Sequence, residues 1–158
     1  MFREMRRIKQ AISREECQTI LTQEKRGILS MSGDNGYPYA IPLNFIYDEK
    51  ANIIYFHCAK QGHKIDAIKS SDKVCFTVLN SGFQEENDWA WNITSVLVFG
   101  RARLVSDPKL AFKQLRQLAL KYYPTAEEAE QEVQKGKDRA AIIALQIEHM
   151  TGKLVKEK

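Results

Sequence analysis

The residue types best suited to chemistry are concentrated in one stretch, IYFHCAKQGHKID at positions 54–66. It begins as an apolar strand and ends as a helix, and Gly62, His63 and Lys64 fall where the helix should begin. The first turn of a helix has unpaired N–H groups and a partial positive charge. Glycine lets a ligand approach the backbone closely, and the two side chains add a donor and a full charge. This combination predicts an anion site suited to a phosphate.

Local chemistry leaves two interpretations of this turn open. The helix dipole disfavours a cation at a helix N-terminus by ~0.3–1 kcal/mol. A bound dianion would make the interaction free energy of the cation at this position favourable instead. In the alternative, the turn is simply solvated and Lys64 lies at the surface without a ligand.

His57 and Cys58 precede the turn and raise other chemistries. Neighbouring strand residues point to opposite faces, so these two side chains cannot easily share one metal ion. A structural zinc needs four ligands at paired spacing, and no second pair accompanies His63. Nothing local indicates a nucleophilic pair, so Cys58 is predicted to be a small buried hydrophobic residue. We therefore predict no metal site.

A second candidate region is the polar segment NSGFQEENDWAWN, which carries Trp89 and Trp91 and is called the tryptophan loop below. The two indoles could form a hydrophobic plug under the loop. Alternatively, they could cover a flat aromatic ligand or a partner subunit, because tryptophan stacks well and anchors interfaces. Thr94 and Ser95 begin the next strand, where their hydroxyls could reach a phosphate.

Four helices are predicted to position these residues. Ser13 and Glu16 form a capping box before a helix over 14–24, and Gly27 is predicted to stop that helix in the left-handed conformation. The other three helices are predicted over about 63–70, from Asp107 and Pro108, and from a second capping box on Thr125 and Glu128.

The remaining segments alternate as strands with hairpin-length turns, which favours antiparallel pairing. In YPYAIPLNFIY, Pro38 and Pro42 cannot donate to a ladder, so part of this strand is predicted to lie at an edge or bulge. Gly100 is predicted to form a bend or a bulge in a long strand. The segments AAIIALQI and HMTGKLVK are predicted as two closing strands. A single domain over 1–158, built as a closed or split barrel, would remove most edges.

Composition narrows the function classes. The 158 residues carry a net charge of +4, with basic and acidic residues mostly interleaved and no nucleic-acid-binding signature, so no nucleic acid partner is predicted. The three widely spaced cysteines favour a reducing cytoplasm over a disulfide framework. No apolar run reaches the ~18 residues of a membrane span, and the basic N-terminal stretch lacks the apolar segment of a secretory leader.

Four segments, in this order along the chain, resemble the FMN-binding split-barrel superfamily: GYPYAIPLNFIYD, IIYFHCAKQGHKIDAIK, KVCFTV and SVLVFGRARLV. This is the fold of pyridoxamine 5′-phosphate oxidase and its relatives. The resemblance runs from about Gly27 to Val105, with a weaker match in the closing TGK. It is strongest to the nitroimidazole-resistance branch, which shares the PLNF and FH-A-K-G-K-D arrangement.

The resemblance implies a mainly β (α+β) fold, a six-stranded antiparallel Greek-key split barrel with peripheral helices. It also implies a homodimer with two FMN molecules at the subunit interface. It implies three groups of cofactor-binding residues. The backbone of Pro42, Leu43 and Asn44 would contact the isoalloxazine ring, and His57 and Cys58 would lie beside the flavin. The phosphate would be held by Gly62, His63 and Lys64. Thr94 and Ser95 would reach across from the strand that follows the tryptophan loop, and Trp89 or Trp91 would cover the flavin.

The activity implied is that of an FMN-dependent oxidoreductase. It would reduce small electron-poor aromatics such as 5-nitroimidazoles by paired electrons, with His57 as the candidate catalytic residue. The ending HMTGKLVKEK lacks the arginine-rich substrate motif of pyridoxamine phosphate oxidases, which argues against that substrate. The alternative is a non-catalytic flavin- or heme-binding stress protein of the same fold, in which His57 could be suspected as an axial heme ligand.

Overall fold

The computed structural model describes residues 1–156, and within them it has eight strands and four α-helices. The strands are β1 Arg26–Ser32, β2 Pro38–Asn44, β3 Ile46–Asp48, β4 Ile53–Ala59, β5 Lys73–Leu79, β6 Phe83–Gln84, β7 Trp91–Leu104 and β8 Ala140–Lys156. The helices are α1 Arg14–Gln23, α2 His63–Ser70, α3 Pro108–Tyr122 and α4 Ala126–Gly136. None of the helices in this range is both long and apolar enough to cross a membrane.

All eight strands form one antiparallel sheet in the order β2-β1-β5-β7-β8-β4-β3, with β6 paired to β7. The two ends of this order, β2 and β3, are separated in the chain by Phe45 alone. The chain itself therefore joins the two edges of the sheet and curls it into a barrel that is split at this point. This confirms the predicted α+β antiparallel split barrel.

The strand count differs from the predicted six for local reasons. The predicted strand over 37–47 is divided into β2 and β3, because Phe45 is fully buried and its backbone bonds to the Tyr122 hydroxyl instead of to another strand. A two-residue strand, β6, lies in the tryptophan loop. The two predicted closing strands are one continuous strand, because β8 pairs with β7 along nearly its whole length.

The barrel interior is filled by the inward-facing residues of the strands. Phe76 lies between Phe45 and Phe56, with edge-on ring centroids 5.0 and 4.9 Å apart. The helix α1 adds Cys17 and Leu21 to this core, and α2 adds Ile65 and Ile68. Outside the barrel, α3 covers the outer faces of β4 and β8, and α4 packs on α3.

The predicted helix starts are confirmed. The backbone N–H of Ser13 donates to Glu16 Oε2 at 2.7 Å, and the N–H of Glu16 donates to Ser13 Oγ at 3.1 Å. Asp107 accepts a bond from the N–H of Lys109 at 2.9 Å. The prediction for Gly27 was wrong, because it lies within β1 and α1 ends at Gln23.

Candidate functional site

The candidate site is a cleft where two strands part. Ile46 of β3 pairs with Tyr55 of β4, and the same register continued would place Asn44 opposite His57. The pairing stops there, because Asn44 pairs with Arg26 of β1 instead. The sheet is therefore open between the end of β2 and the end of β4, and the sequence-predicted residues 42–44 and 57–58 border this opening.

On the β2 side of the cleft, the chain presents an edge strand. In the sheet order β2 has β1 as its only neighbour, which confirms the edge position predicted from its prolines. Pro42 is exposed, Asn44 is half-buried, and Leu43 packs against the barrel core. The backbone of these residues therefore runs along an unpaired edge.

On the β4 side, His57 and Cys58 point to opposite faces, as predicted. The thiol of Cys58 lies in the barrel core with only 6% of the residue exposed, and this burial raises its pKa. Cys58 can therefore offer a ligand outside the barrel its backbone but not its thiol. His57 points outward. The protein packed around its ring lowers the pKa of His57 below the usual 6.5, and the nearby Lys64 charge lowers it further.

The start of α2 lies at one end of the cleft. Gly62 has φ of +125°, a backbone conformation that favours glycine, and no heavy atom lies within 4 Å of the position a Cβ would take. Within residues 1–156, no side chain caps this helix end. The N–H of Ile65 donates to the carbonyl of Gly62 at 2.8 Å, so the N–H groups of His63 and Lys64 are the ones that this first turn can offer to an anion, as the anion-site interpretation requires.

His63 and Lys64 are held differently at this helix start. The ring of His63 stacks on Tyr39 at 4.0 Å, and its Nε2 lies 3.5 Å from Asp34 Oδ2. Lys64 is half-buried and makes no ion pair or hydrogen bond with any residue in 1–156. Its charge influences both His57 and Cys58, which places the ammonium group near the cleft.

Thr94 and Ser95 lie far from this cleft within one chain. His57 pairs with Ile142 of β8, whereas Thr94 pairs with Leu154. Twelve residues of β8 separate those partners, or about 40 Å of extended strand at ~3.3 Å per residue. A single chain therefore does not bring together all the residues that the sequence analysis assigned to one site.

The tryptophan loop is ordered and presents its indoles outward. Trp89 is 73% exposed and Trp91 is 37% exposed, which excludes the hydrophobic plug for Trp89. The Asn80 Oδ1 accepts bonds from the N–H groups of Gly82 and Thr94, at 3.2 and 2.9 Å. The loop therefore holds a large apolar side chain in solvent, as an interface or a ligand cover would require.

Sequence reasoning missed two contributors to the site, Tyr122 and the α3–α4 hairpin. The N–H of Phe45 donates to the Tyr122 hydroxyl at 2.8 Å, and that hydroxyl faces the carbonyls of Phe45, also at 2.8 Å, and Lys25. Beside it lies a cavity of about 280 Å³ bordered by His57, Asn44 and the two helices. The sequence signal for Tyr122 is its place at the end of a helical stripe that is otherwise apolar, formed by Ala111, Leu115 and Leu118. Within residues 1–156, no group of three or more His, Cys, Asp or Glu residues is placed to hold a metal ion.

Comparisons with known proteins support this fold. Residues 13–154 match the pyridoxamine 5′-phosphate oxidase family. A candidate 5-nitroimidazole antibiotic resistance protein from Bacteroides thetaiotaomicron is 18% identical, with a TM-score of 0.78 over 92% of this chain and 87% of that one. No curated protein matches the sequence significantly.

Two further structures share the fold. A FAD-binding protein from Mesorhizobium loti is 23% identical, with a TM-score of 0.61 over 92% of this chain and 96% of that one. A flavocytochrome from Azotobacter vinelandii is 22% identical, with a TM-score of 0.70 over 96% and 72%. Because the family match spans most of the sequence, this chain belongs to the pyridoxamine 5′-phosphate oxidase family.

Proposed function

We propose that this protein binds FMN in the cleft and reduces small, flat, electron-poor aromatics, such as 5-nitroimidazoles, by electron pairs. The observation that carries the proposal is the uncapped start of α2, with the unpaired Lys64, at one end of a cleft that the split in the barrel keeps open. The flavin-binding proteins among the structural relatives support the choice of cofactor.

The residues present fit a flavin mononucleotide in both charge and length. The first-turn amides of α2 and the Lys64 ammonium suit a dianionic phosphate. Tyr39, which touches His63, lies five residues from Asn44 along β2, or roughly 17 Å of extended strand at ~3.3 Å per residue. That span accommodates a ring system at the His57 end and a phosphorylated side chain at the α2 end.

The chemistry would be divided between cofactor and chain. A reduced flavin supplies electrons in pairs, and the protein supplies binding, orientation and protons. In this division, Lys64 and His63 hold the phosphate, and the backbone at 42–44 places the ring. His57 is the residue best placed to give a hydrogen bond or a proton to a nitro oxygen of the acceptor.

A second copy of the chain would complete the site. Thr94 and Ser95 lie at the opposite end of the β7–β8 ladder from the residues that neighbour His57, so the proposal assigns them, with the exposed Trp89, to the cleft of the partner. Ile28 and Leu79 lie on the outer face of the sheet, 41% and 47% exposed, and offer an apolar surface for this contact. A symmetric homodimer would use this surface twice.

The test compares FMN with riboflavin, which lacks the phosphate. A charge-assisted hydrogen bond contributes roughly 1.5–3 kcal/mol, so Lys64→Ala should weaken FMN binding by ~10- to 100-fold in a fluorescence titration. Riboflavin binding should hardly change. Lys60→Ala is the matched control, because Lys60 is an exposed lysine just before the same turn.

Each outcome decides part of the proposal. Equal losses for both flavins in Lys64→Ala would remove the phosphate assignment. A purified protein with a Soret absorption band and no flavin bands would replace FMN by heme. Mass analysis of the product from a 5-nitroimidazole would test the electron pairing, and free nitro radical anion as the main product would contradict it.

A further inference from the structure

The cavity of about 280 Å³ beside His57 is distinct from the phosphate end of the cleft. Its wall is formed largely by α3 and α4, through Leu115, Leu118, Ala119 and Val133. These two helices are packed together by their own small apolar cluster, so the hairpin forms a preformed roof over β4.

Two side chains turn unused hydrogen-bonding capacity toward this apolar space. His57 makes no hydrogen bond with any residue in 1–156, and it lines the cavity. Asn44 accepts one bond, from Arg26 Nε at 3.3 Å, on its carbonyl oxygen, which leaves its amide N–H groups free to donate. Tyr122 also lines the cavity, but its hydroxyl is already engaged by backbone groups of Phe45 and Lys25.

The charges around the cavity favour a neutral occupant. No lysine or arginine within residues 1–156 lines it, whereas the exposed Glu132 does. The pKa of His57 is lowered by its packing and by Lys64, so its ring is neutral at neutral pH and can donate one N–H. A carboxylate ligand would therefore find no cation in the lining to pair with, because Lys64 and Arg26 reach the cavity only through His57 and Asn44, whereas an uncharged acceptor group needs none.

The volume limits the occupant to a small molecule. Pockets for drug-sized ligands measure about 300–1,000 Å³, so this cavity lies just below that range. It has room for one aromatic ring with a compact substituent.

We propose that this cavity beneath the α3–α4 hairpin binds the acceptor substrate as a small, uncharged aromatic ring whose nitro or carbonyl oxygen faces His57 and Asn44. The proposal rests on the proposed function for its link to reduction, because His57 borders both the cavity and the flavin cleft. Selectivity would then come from α3 and α4 within one chain, rather than from the partner subunit.

Gly136 offers a direct way to fill the cavity. It lines the space at the end of α4, and no heavy atom lies within 4 Å of the position its Cβ would take. A larger side chain there is compatible with the helix, so Gly136→Phe should block the cavity without unfolding the protein. Gly136→Leu provides a smaller filler, and Lys135→Phe is the matched control on a neighbouring exposed position that does not line the cavity.

The experiment uses nitrobenzene and benzoate, which have nearly the same shape but differ in charge. NMR titration of the His57 ring signals should show nitrobenzene binding to the wild type and to Lys135→Phe, with at least ~10-fold weaker binding to Gly136→Phe and an intermediate loss in Gly136→Leu. Benzoate should bind the wild type at least ~10-fold more weakly than nitrobenzene. FMN affinity, measured by fluorescence, should be the same in all four proteins.

Three results would overturn the proposal: no response of His57 to nitrobenzene, unchanged binding in a folded Gly136→Phe, or tighter binding of benzoate than of nitrobenzene. Failure of the proposed function would look different. In that case the wild type would not bind FMN, but nitrobenzene would still shift the His57 signals, and Gly136→Phe would prevent that shift. This result would keep the cavity as a ligand site and remove the flavin chemistry.

Discussion

Tyr122 closes a gap that the strands of the barrel leave open. Where β2 and β3 part, the N–H and C=O of Phe45 have no strand partner, and leaving such buried groups unpaired costs about 1–3 kcal/mol each. The Tyr122 hydroxyl accepts from that N–H and lies 2.8 Å from that carbonyl oxygen. One side chain thus satisfies both backbone groups of Phe45 at the point where the sheet is split.

The role of His57 in the proposed reaction predicts a pH profile. A proton donor must be protonated, and both the protein packed around its ring and the Lys64 charge lower the pKa of His57 below 6.5. The protonated fraction therefore falls as pH rises through that lowered value. The rate of nitroimidazole reduction should fall over the same range, and His57→Gln should be ~100-fold slower at low pH with a flat profile. Stopped-flow kinetics on the FMN-loaded protein measures both.

The same pKa shift supplies an independent check on His57. Because the folded state binds this proton more weakly than the unfolded state, stability should decrease as pH falls from 6.5 toward the lowered pKa. His57→Gln should remove that part of the acid sensitivity in urea titrations. A wild-type rate that does not depend on pH between 5 and 7 would eliminate the acid role, whatever the stability profile shows.

Among the elements, the β7–β8 ladder contains the position most sensitive to size. The register shifts between Phe99 and Gly100, where an irregularity was predicted, but the extra residue is Glu148 of β8, which lies between the partners of Phe99 and Gly100. A Cβ on Gly100 would collide with the backbone carbonyl of Gln146, which cannot rotate away as a side chain could. Gly100→Ala should therefore cost about 3 kcal/mol, the upper end for overpacking.

Equilibrium urea denaturation would measure this loss. Gly136→Ala is the control, because that glycine is helical and has open space around it, so alanine should stabilise the protein by roughly 0.5–1 kcal/mol. A Gly100→Ala protein as stable as the wild type would mean that β7 and β8 can separate locally at the bulge.

The elements divide into those that local sequence specifies and those it does not. The capping box at Ser13 and the cap at Asp107 act within three residues, so the starts of α1 and α3 could be predicted. Gly27 was misread because its neighbours in the chain indicate a helix end. The reason for its small size is the Phe76 ring of β5, against which a Cβ would collide. The division of β2 from β3 depends on Tyr122, 77 residues from Phe45, and no local pattern shows it.

At the scale of the whole molecule, the sequence identified the residues at the start of α2 that are proposed to hold a phosphate, but not the walls of the cavity. Gly62, His63 and Lys64 are consecutive, so their chemistry was visible in one stretch of sequence. The cavity beside His57 joins β2, β4, α3 and α4, and only the fold brings those segments together. Thr94 and Ser95 are assigned to the site by the resemblance, and their place at the opposite end of the β7–β8 ladder from His57 makes this assignment a question about two chains.

The proposed homodimer can be tested by mixing two defective proteins. If each site combines Lys64 of one chain with Thr94 and Ser95 of its partner, then Lys64→Ala and the double variant Thr94→Ala/Ser95→Ala should each bind FMN poorly. After the two are mixed and allowed to exchange subunits, half of the dimers are mixed, and each mixed dimer has one intact site. High-affinity FMN binding should therefore return to about a quarter of the sites. No recovery, although subunit exchange is verified with differently tagged chains, would place the whole site within one chain. A protein that sediments as a monomer and still binds FMN tightly would exclude the composite site altogether.

Leu79→Glu tests the surface itself: it should produce monomers with weak FMN binding, while Leu120→Glu, on the equally exposed face of α3, should leave the dimer intact.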